Sequence, residues 1–152
     1  MMTIKLILCP VDFSDASKNA YRYACEFARS MGSKVLLLNV IEPRPIAADF
    51  TLTYIPFEES LSATAREEFI PMVDEAKAAG VDISADVIPG IPEEVILQQI
   101  IDRDASMVIM GSHCKTGLTR LLMGSVAEAV VRKASIPVLI VKADEKEFIS
   151  EG

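Results

Sequence analysis

Short aliphatic runs, each followed by a segment of helical period, constrain the fold of this chain more than any other feature. Residues 4–11 (IKLILCPV), 35–41 (VLLLNVI), 107–110 (MVIM) and 138–141 (VLIV) are continuously apolar or nearly so. A half-exposed strand alternates apolar with polar residues, whereas a continuous run has to be covered on both faces. That is the condition of a strand in a parallel sheet flanked by helices. Residues 82–88 differ, because Ile83, Ala85 and Val87 alternate with polar neighbours. This fifth strand is therefore expected at a less protected sheet edge.

Four helical patterns separate the runs. Ser14 is placed to cap the first, in which Ala16, Ala20, Tyr23, Ala24, Phe27 and Met31 recur at helical spacing before Gly32 ends it. Leu61, Ala65, Phe69, Val73 and Ala76 mark the second, with Pro71 expected to kink or divide it. Pro92 opens the third, with Glu93 and Glu94 favourable for its dipole. Gly124-Ser125 opens the fourth, with Val126, Val130, Val131 and Ala134 facing inward. The order β-α-β-α-β-α-β-α-β defines an α/β class, a single doubly wound domain whose right-handed crossovers put helices on both faces.

The chain length of 152 residues suits one domain, expected over residues 1–143 with an acidic flexible tail at 144–152. Segment 42–56 holds three prolines and no clear period, so it reads as a long loop and a candidate lid. A net charge of −7 supplies no basic surface for phosphate backbones, which argues against a nucleic-acid partner. No apolar run approaches the ~20 residues needed to cross a bilayer, so no membrane partner is expected. Three scattered cysteines, with no leader segment, fit a reducing cytoplasmic location. The one histidine, His113, excludes histidine-rich metal sites and argues against a hydrolytic triad.

Open α/β sheets bind ligands beyond the carboxyl ends of their strands. The first such end gives Pro10, Val11 and Asp12; the second gives Asn39 and Val40; the fourth gives Met110, Gly111 and Ser112. Asp12 can accept from hydroxyls or an exocyclic amine, or simply manage the turn into the first helix. Val40 and Met110 offer apolar contact and backbone groups to an aromatic base. After Gly111 comes a loop of small and basic residues with Cys114 and Lys115, and then Gly124, Ser125 and Val126 at a helix start. Unpaired N–H groups there suit a phosphate. The Ser125 hydroxyl is placed either to touch a phosphate or to cap the helix.

This segment resembles the universal stress protein family, whose ATP-binding members carry glycine, two residues, glycine, nine residues, then glycine and serine or threonine. Gly111, Ser112, His113 and Cys114 fill the first part, and Lys115 to Met123 form the gap before Gly124-Ser125. The likeness extends to ILCPVDFSDAS, LLLNVIEP, IPGIPEEVI and SIPVLIVK, and so covers almost the whole chain. It implies strand order 3-2-1-4-5 and a homodimer paired through residues 137–142. It also implies ATP as ligand, with Mg²⁺ or Mn²⁺ carried on the phosphates. Asp12, Val40 and Met110 would meet the adenosine part, and the Gly111 loop with Gly124-Ser125 would hold ribose and phosphates.

Cys114 departs from the family glycine. If that position needs a positive φ, a side chain costs roughly 1–2 kcal/mol, about tenfold in affinity if it falls on the bound state. Two readings follow: a dimeric ATP-binding regulatory module of the stress response, or a stress-response interaction dimer that has lost ATP. No residue is nominated as catalytic, since nothing offers a general base toward a γ-phosphate; slow hydrolysis or autophosphorylation is the most that is expected. An adenylating enzyme of related architecture would need a glycine-rich loop after the first strand or paired histidines, and DFSDAS has neither.

Overall fold

The continuous aliphatic runs form the centre of one parallel sheet. The computed structural model describes residues 2–43, 54–112 and 123–143, with only the backbone over 54–58. The elements run β1 (Leu6–Pro10), α1 (Asp15–Met31), β2 (Lys34–Ile41), α2 (Tyr54–Ala78), β3 (Asp82–Pro89), α3 (Pro92–Asp102), β4 (Met107–Gly111), α4 (Ser125–Lys133) and β5 (Val138–Val141). The sheet order is β3-β2-β1-β4-β5, and every pairing is parallel. The alternating strand β3 lies at an edge, as its pattern required.

Neighbouring residues of each central strand serve opposite faces. Ile7, Cys9, Val35, Leu37 and Ile109 join one buried cluster with Ala20, Ala24 and Ala28 of α1 and Phe69 and Ala76 of α2. Leu8, Leu36, Leu38, Val108 and Met110 join the other, with Ile96 and Ile100 of α3 and Ala127 and Val130 of α4. Burying a side chain of this size stabilises by about 1.5–3 kcal/mol, so the two layers rather than local propensity hold the helices in place. The helix α1 starts and stops as expected. The Ser14 hydroxyl accepts from the Ser17 N–H, and Gly32 adopts φ 66° as the left-handed stop.

Some expectations need correction. The helix α2 is continuous across Pro71 and is not divided. Pro71 and Glu67, whose carbonyl loses its usual donor, are both exposed, so the lost bond falls on the solvent side of the helix. That helix begins at Tyr54, so the long connection ends before residue 56; residues 44–53, the body of the candidate lid, lie outside the described residues. Val131, expected to face inward, is 43% exposed, and Met31, which continues the apolar spacing of α1, is 40% exposed, because the buried stripes of α1 and α4 are narrower than their apolar patterns. In their stead Tyr21 is buried, and its hydroxyl donates to the Met72 carbonyl at 2.6 Å, tying α1 to α2. The acidic tail, 144–152, is also outside the described residues.

Candidate functional site

The strand order brings the carboxyl ends of β2, β1 and β4 side by side. The chain leaves β1 for α1, which packs on one face, and leaves β4 for α4, which packs on the other. The crevice between β1 and β4 is thus the switch point at which open α/β sheets receive ligands. Pro10, Val11, Asp12, Val40, Met110, Gly111, Ser112, Gly124, Ser125 and Val126 all belong to this end of the sheet. Cys114 and Lys115 lie outside the described residues, as does the rest of segment 113–122.

At β1 the ladder ends with the Val11 N–H donating to the Leu38 carbonyl at 2.8 Å. The Val11 carbonyl accepts at 2.8 Å from the side-chain amide of Asn39, a buried residue to which the sequence assigns no role. Asp12 is exposed, and its Oδ1 accepts from both the Ser14 N–H, at 3.0 Å, and the Ser14 hydroxyl. The turn role is therefore present. Between them Phe13 holds φ 63°, an unusual conformation for a bulky residue, and its ring packs on Phe69 with centroids 5.1 Å apart. Strain of this kind persists only where surroundings enforce it; here the turn bonds and the aromatic pair do so.

At β4, Met110 is buried on the α3/α4 face, and Val40 packs half-buried against the same cluster. Gly111 serves packing. A Cβ there would lie 2.6 Å from the Ala16 carbonyl carbon and 2.7 Å from the Ser17 nitrogen. Only glycine lets the first turn of α1 rest on the end of β4. Ser112 donates its N–H to Val141 at 3.0 Å and accepts from the Gly124 N–H at 3.3 Å, which closes the neck of segment 113–122.

Gly124, buried, is the N-cap of α4, with φ −71° and no side-chain capping bond. The reading of Ser125 as the cap is thereby corrected: Ser125 is the first helical residue, with its side chain exposed. Val126 is half-buried against the core behind it. A cap that contributes no side chain leaves first-turn N–H groups for an external acceptor. Among the described residues no group of three His, Cys, Asp or Glu is placed to hold a metal ion. No described helix is long and apolar enough to cross a membrane.

A five-stranded parallel sheet of order β3-β2-β1-β4-β5 with helices on both faces defines a doubly wound α/β protein. Residues 3–142 match the universal stress protein family, and the chain belongs to that family. It is 32% identical over 144 residues to universal stress protein MJ0531 of Methanocaldococcus jannaschii, covering 94% of this chain and 85% of that one. It is 33% identical to MJ0577 of the same organism, covering 91% and 94%. The solved structure of MJ0577 superposes with a TM-score of 0.74, covering 96% and 99%. The universal stress protein UspA of Lactobacillus plantarum, at 19% identity, shares the fold with a TM-score of 0.85, covering 93% and 99%. Two further members with this fold were solved with nucleotides. One carries cAMP, at 24% identity, TM-score 0.68 and coverage of 94% and 100%. The other, from Archaeoglobus fulgidus, carries dAMP, at 23% identity, TM-score 0.64 and coverage of 93% and 100%.

Proposed function

We propose that this chain is a dimeric regulatory module of the stress response that binds ATP at the carboxyl ends of β1, β2 and β4. The observation that carries the reading is the meeting, at the switch point, of an apolar wall and an uncapped helix start. Val40, half-buried at the end of β2, forms the wall, with Met110 buried in the same apolar cluster, and Gly124 presents the first turn of α4 without a side chain in the way. The family members crystallised with cAMP and dAMP support an adenine nucleotide as the ligand class. In this reading Asp12 receives ribose or base donors, and the segment from Gly111 to Lys115 with Gly124, Ser125 and Val126 holds the phosphates. Mg²⁺ or Mn²⁺ would travel on the polyphosphate, as hard cations do, rather than in a protein cage. The strand β5, apolar at Val138–Val141 and lying at a sheet edge, is the natural pairing strand for a second copy.

Calorimetric titration with ATP and Mg²⁺, beside a Cys114→Gly variant, tests the reading. Micromolar binding by the native chain supports it, and tighter binding by the variant assigns Cys114 the role of weakening the site. Binding by the variant alone favours the second reading, an interaction dimer whose site closed at one residue. Silence from both overturns nucleotide binding.

A further inference from the structure

Asn39 does something at the end of β2 that an aliphatic residue there would not. Its side chain falls in register with Val35 and Leu37, on the α1/α2 face, and it is only 8% exposed. The Val11 carbonyl needs a donor, so the NH₂ end of the carboxamide points at it, 2.8 Å away. The other end, Oδ1, is buried with no hydrogen-bond partner. An unpaired buried acceptor is destabilising, and a leucine of similar size would remove it.

The ladder shows what the carboxamide replaces. In a parallel pair, alternate residues turn their main-chain N–H and C=O to the same neighbour. Even-numbered residues of β2 face β1: the Lys34 N–H donates to Lys5, and the Leu38 carbonyl accepts from Val11. Odd-numbered ones face β3, as the Ile41 carbonyl does in accepting from Gly90. Val40 is even, so its N–H and C=O point toward β1, two residues past the last paired rung, Pro10 with Leu38. The acceptor for that N–H in a continued ladder would be the Val11 carbonyl; the Val40 N–H makes no bond to it, and Asn39 Nδ2 donates there instead.

We propose that Asn39 is a positioning residue that determines base specificity: by standing in for the Val40 N–H at the Val11 carbonyl, it keeps the Val40 main-chain donor and acceptor open for an adenine edge. Adenine presents a ring-nitrogen acceptor beside an amine donor, the complement of one N–H and one C=O on a strand. Guanine presents a ring N–H beside an oxygen, which meets the same pair donor to donor and acceptor to acceptor. The inference rests on the adenine-nucleotide reading above and adds the residue that enforces it.

Backbone amide exchange followed by NMR, without nucleotide, tests it first on the native chain. The Val40 amide should exchange faster than the ladder amides of Leu36 and Leu38; equal protection would overturn the proposal. In Asn39→Leu the ladder should close by one rung, slowing Val40 to the level of Leu38 with no loss of thermal stability. Titration with ATP and GTP then reads the specificity. The preference for ATP should fall roughly fivefold in the variant, the worth of one net hydrogen bond. A Val40 amide that stays fast in the variant, or an unchanged ratio, refutes Asn39 as the cause. If the native chain binds neither nucleotide, the functional reading fails, and the exchange rates still decide what Asn39 does to the ladder.

Discussion

Gly111→Ala separates packing from ligand binding at the glycine that opens the family motif. The added Cβ would sit 2.6 Å from the Ala16 carbonyl carbon, 2.7 Å from the Ser17 nitrogen and 2.9 Å from the Ala16 oxygen. Carbon atoms pack comfortably at about 3.5–4.0 Å, so α1 and β4 must part by roughly 1 Å. All three obstacles are backbone, so no rotamer change relieves them, and Ala16→Gly would not rescue the variant. The first turn of α1 is also anchored by Ser14 through the Ser17 and Lys18 N–H groups, so it yields only together with that cap. Overpacking of this kind costs about 1–3 kcal/mol. For a chain of this size 2 kcal/mol corresponds to about 4–8 °C in melting temperature. Thermal and urea unfolding followed by circular dichroism, in nucleotide-free buffer, should show that loss. Unchanged stability together with weakened ATP binding would refute the packing argument and return Gly111 to the ligand.

Phe13 holds φ 63° while its ring packs on Phe69, so Phe13→Gly and Phe13→Ala lose the same aromatic contact but differ in strain. The glycine variant should be the more stable by about 1 kcal/mol in urea unfolding; the reverse order would mean that the backbone there is not strained. Burial pushes the Cys25 thiol from 9.0 up to about 11, with a Tyr21 hydrogen bond opposing and Glu75 and Glu26 adding to the rise. Because the folded value is the raised one, the contribution is complete below pH 9.0 and is lost as pH climbs toward about 11. Urea midpoints should therefore fall between pH of about 8 and about 10.5, and less steeply in Cys25→Ala. Burial raises Cys9 and Tyr21 as well, so part of the slope should survive that substitution.

The strands were legible because continuous aliphatic runs report burial on both faces, and β3 was legible as an edge because Ile83, Ala85 and Val87 alternate. The two ends of α1 were legible from Ser14 and Gly32, whose chemistry is local. What escaped depends on approach between distant segments. The packing role of Gly111 exists only because Ala16 and Ser17 arrive against β4, some 95 positions away in the chain. Asn39 sits inside VLLLNVI, where one polar residue among aliphatics gives no sign that it will answer a carbonyl on another strand. Pro71 does not divide α2, because propensity counts one lost hydrogen bond against a helix that the packing of Phe69 and Ala76 holds in place. Val131 and Met31 continue a helical pattern past the width that the neighbouring layer covers.

Gly111 and Asn39 both lie at the carboxyl end of the sheet, where regular pairing stops and specific residues take over its work. At β1 the Asn39 carboxamide replaces a main-chain donor at Val11. At β4, Ser112 bonds forward to Val141 and across to Gly124, so the neck of the following segment is fixed by backbone alone. At α4 a glycine caps without a side chain, and at the start of α1 the Asp12–Ser14 turn fills the corresponding place with hydroxyl and carboxylate. The two helix starts are therefore not equivalent as anion sites. That of α1 is answered internally by Ser14, with the Asp12 carboxylate beside it, whereas that of α4 receives no side-chain cap. On the proposed ATP reading, the polyphosphate would be steered to the α4 side and the nucleoside left to the β1 and β2 ends.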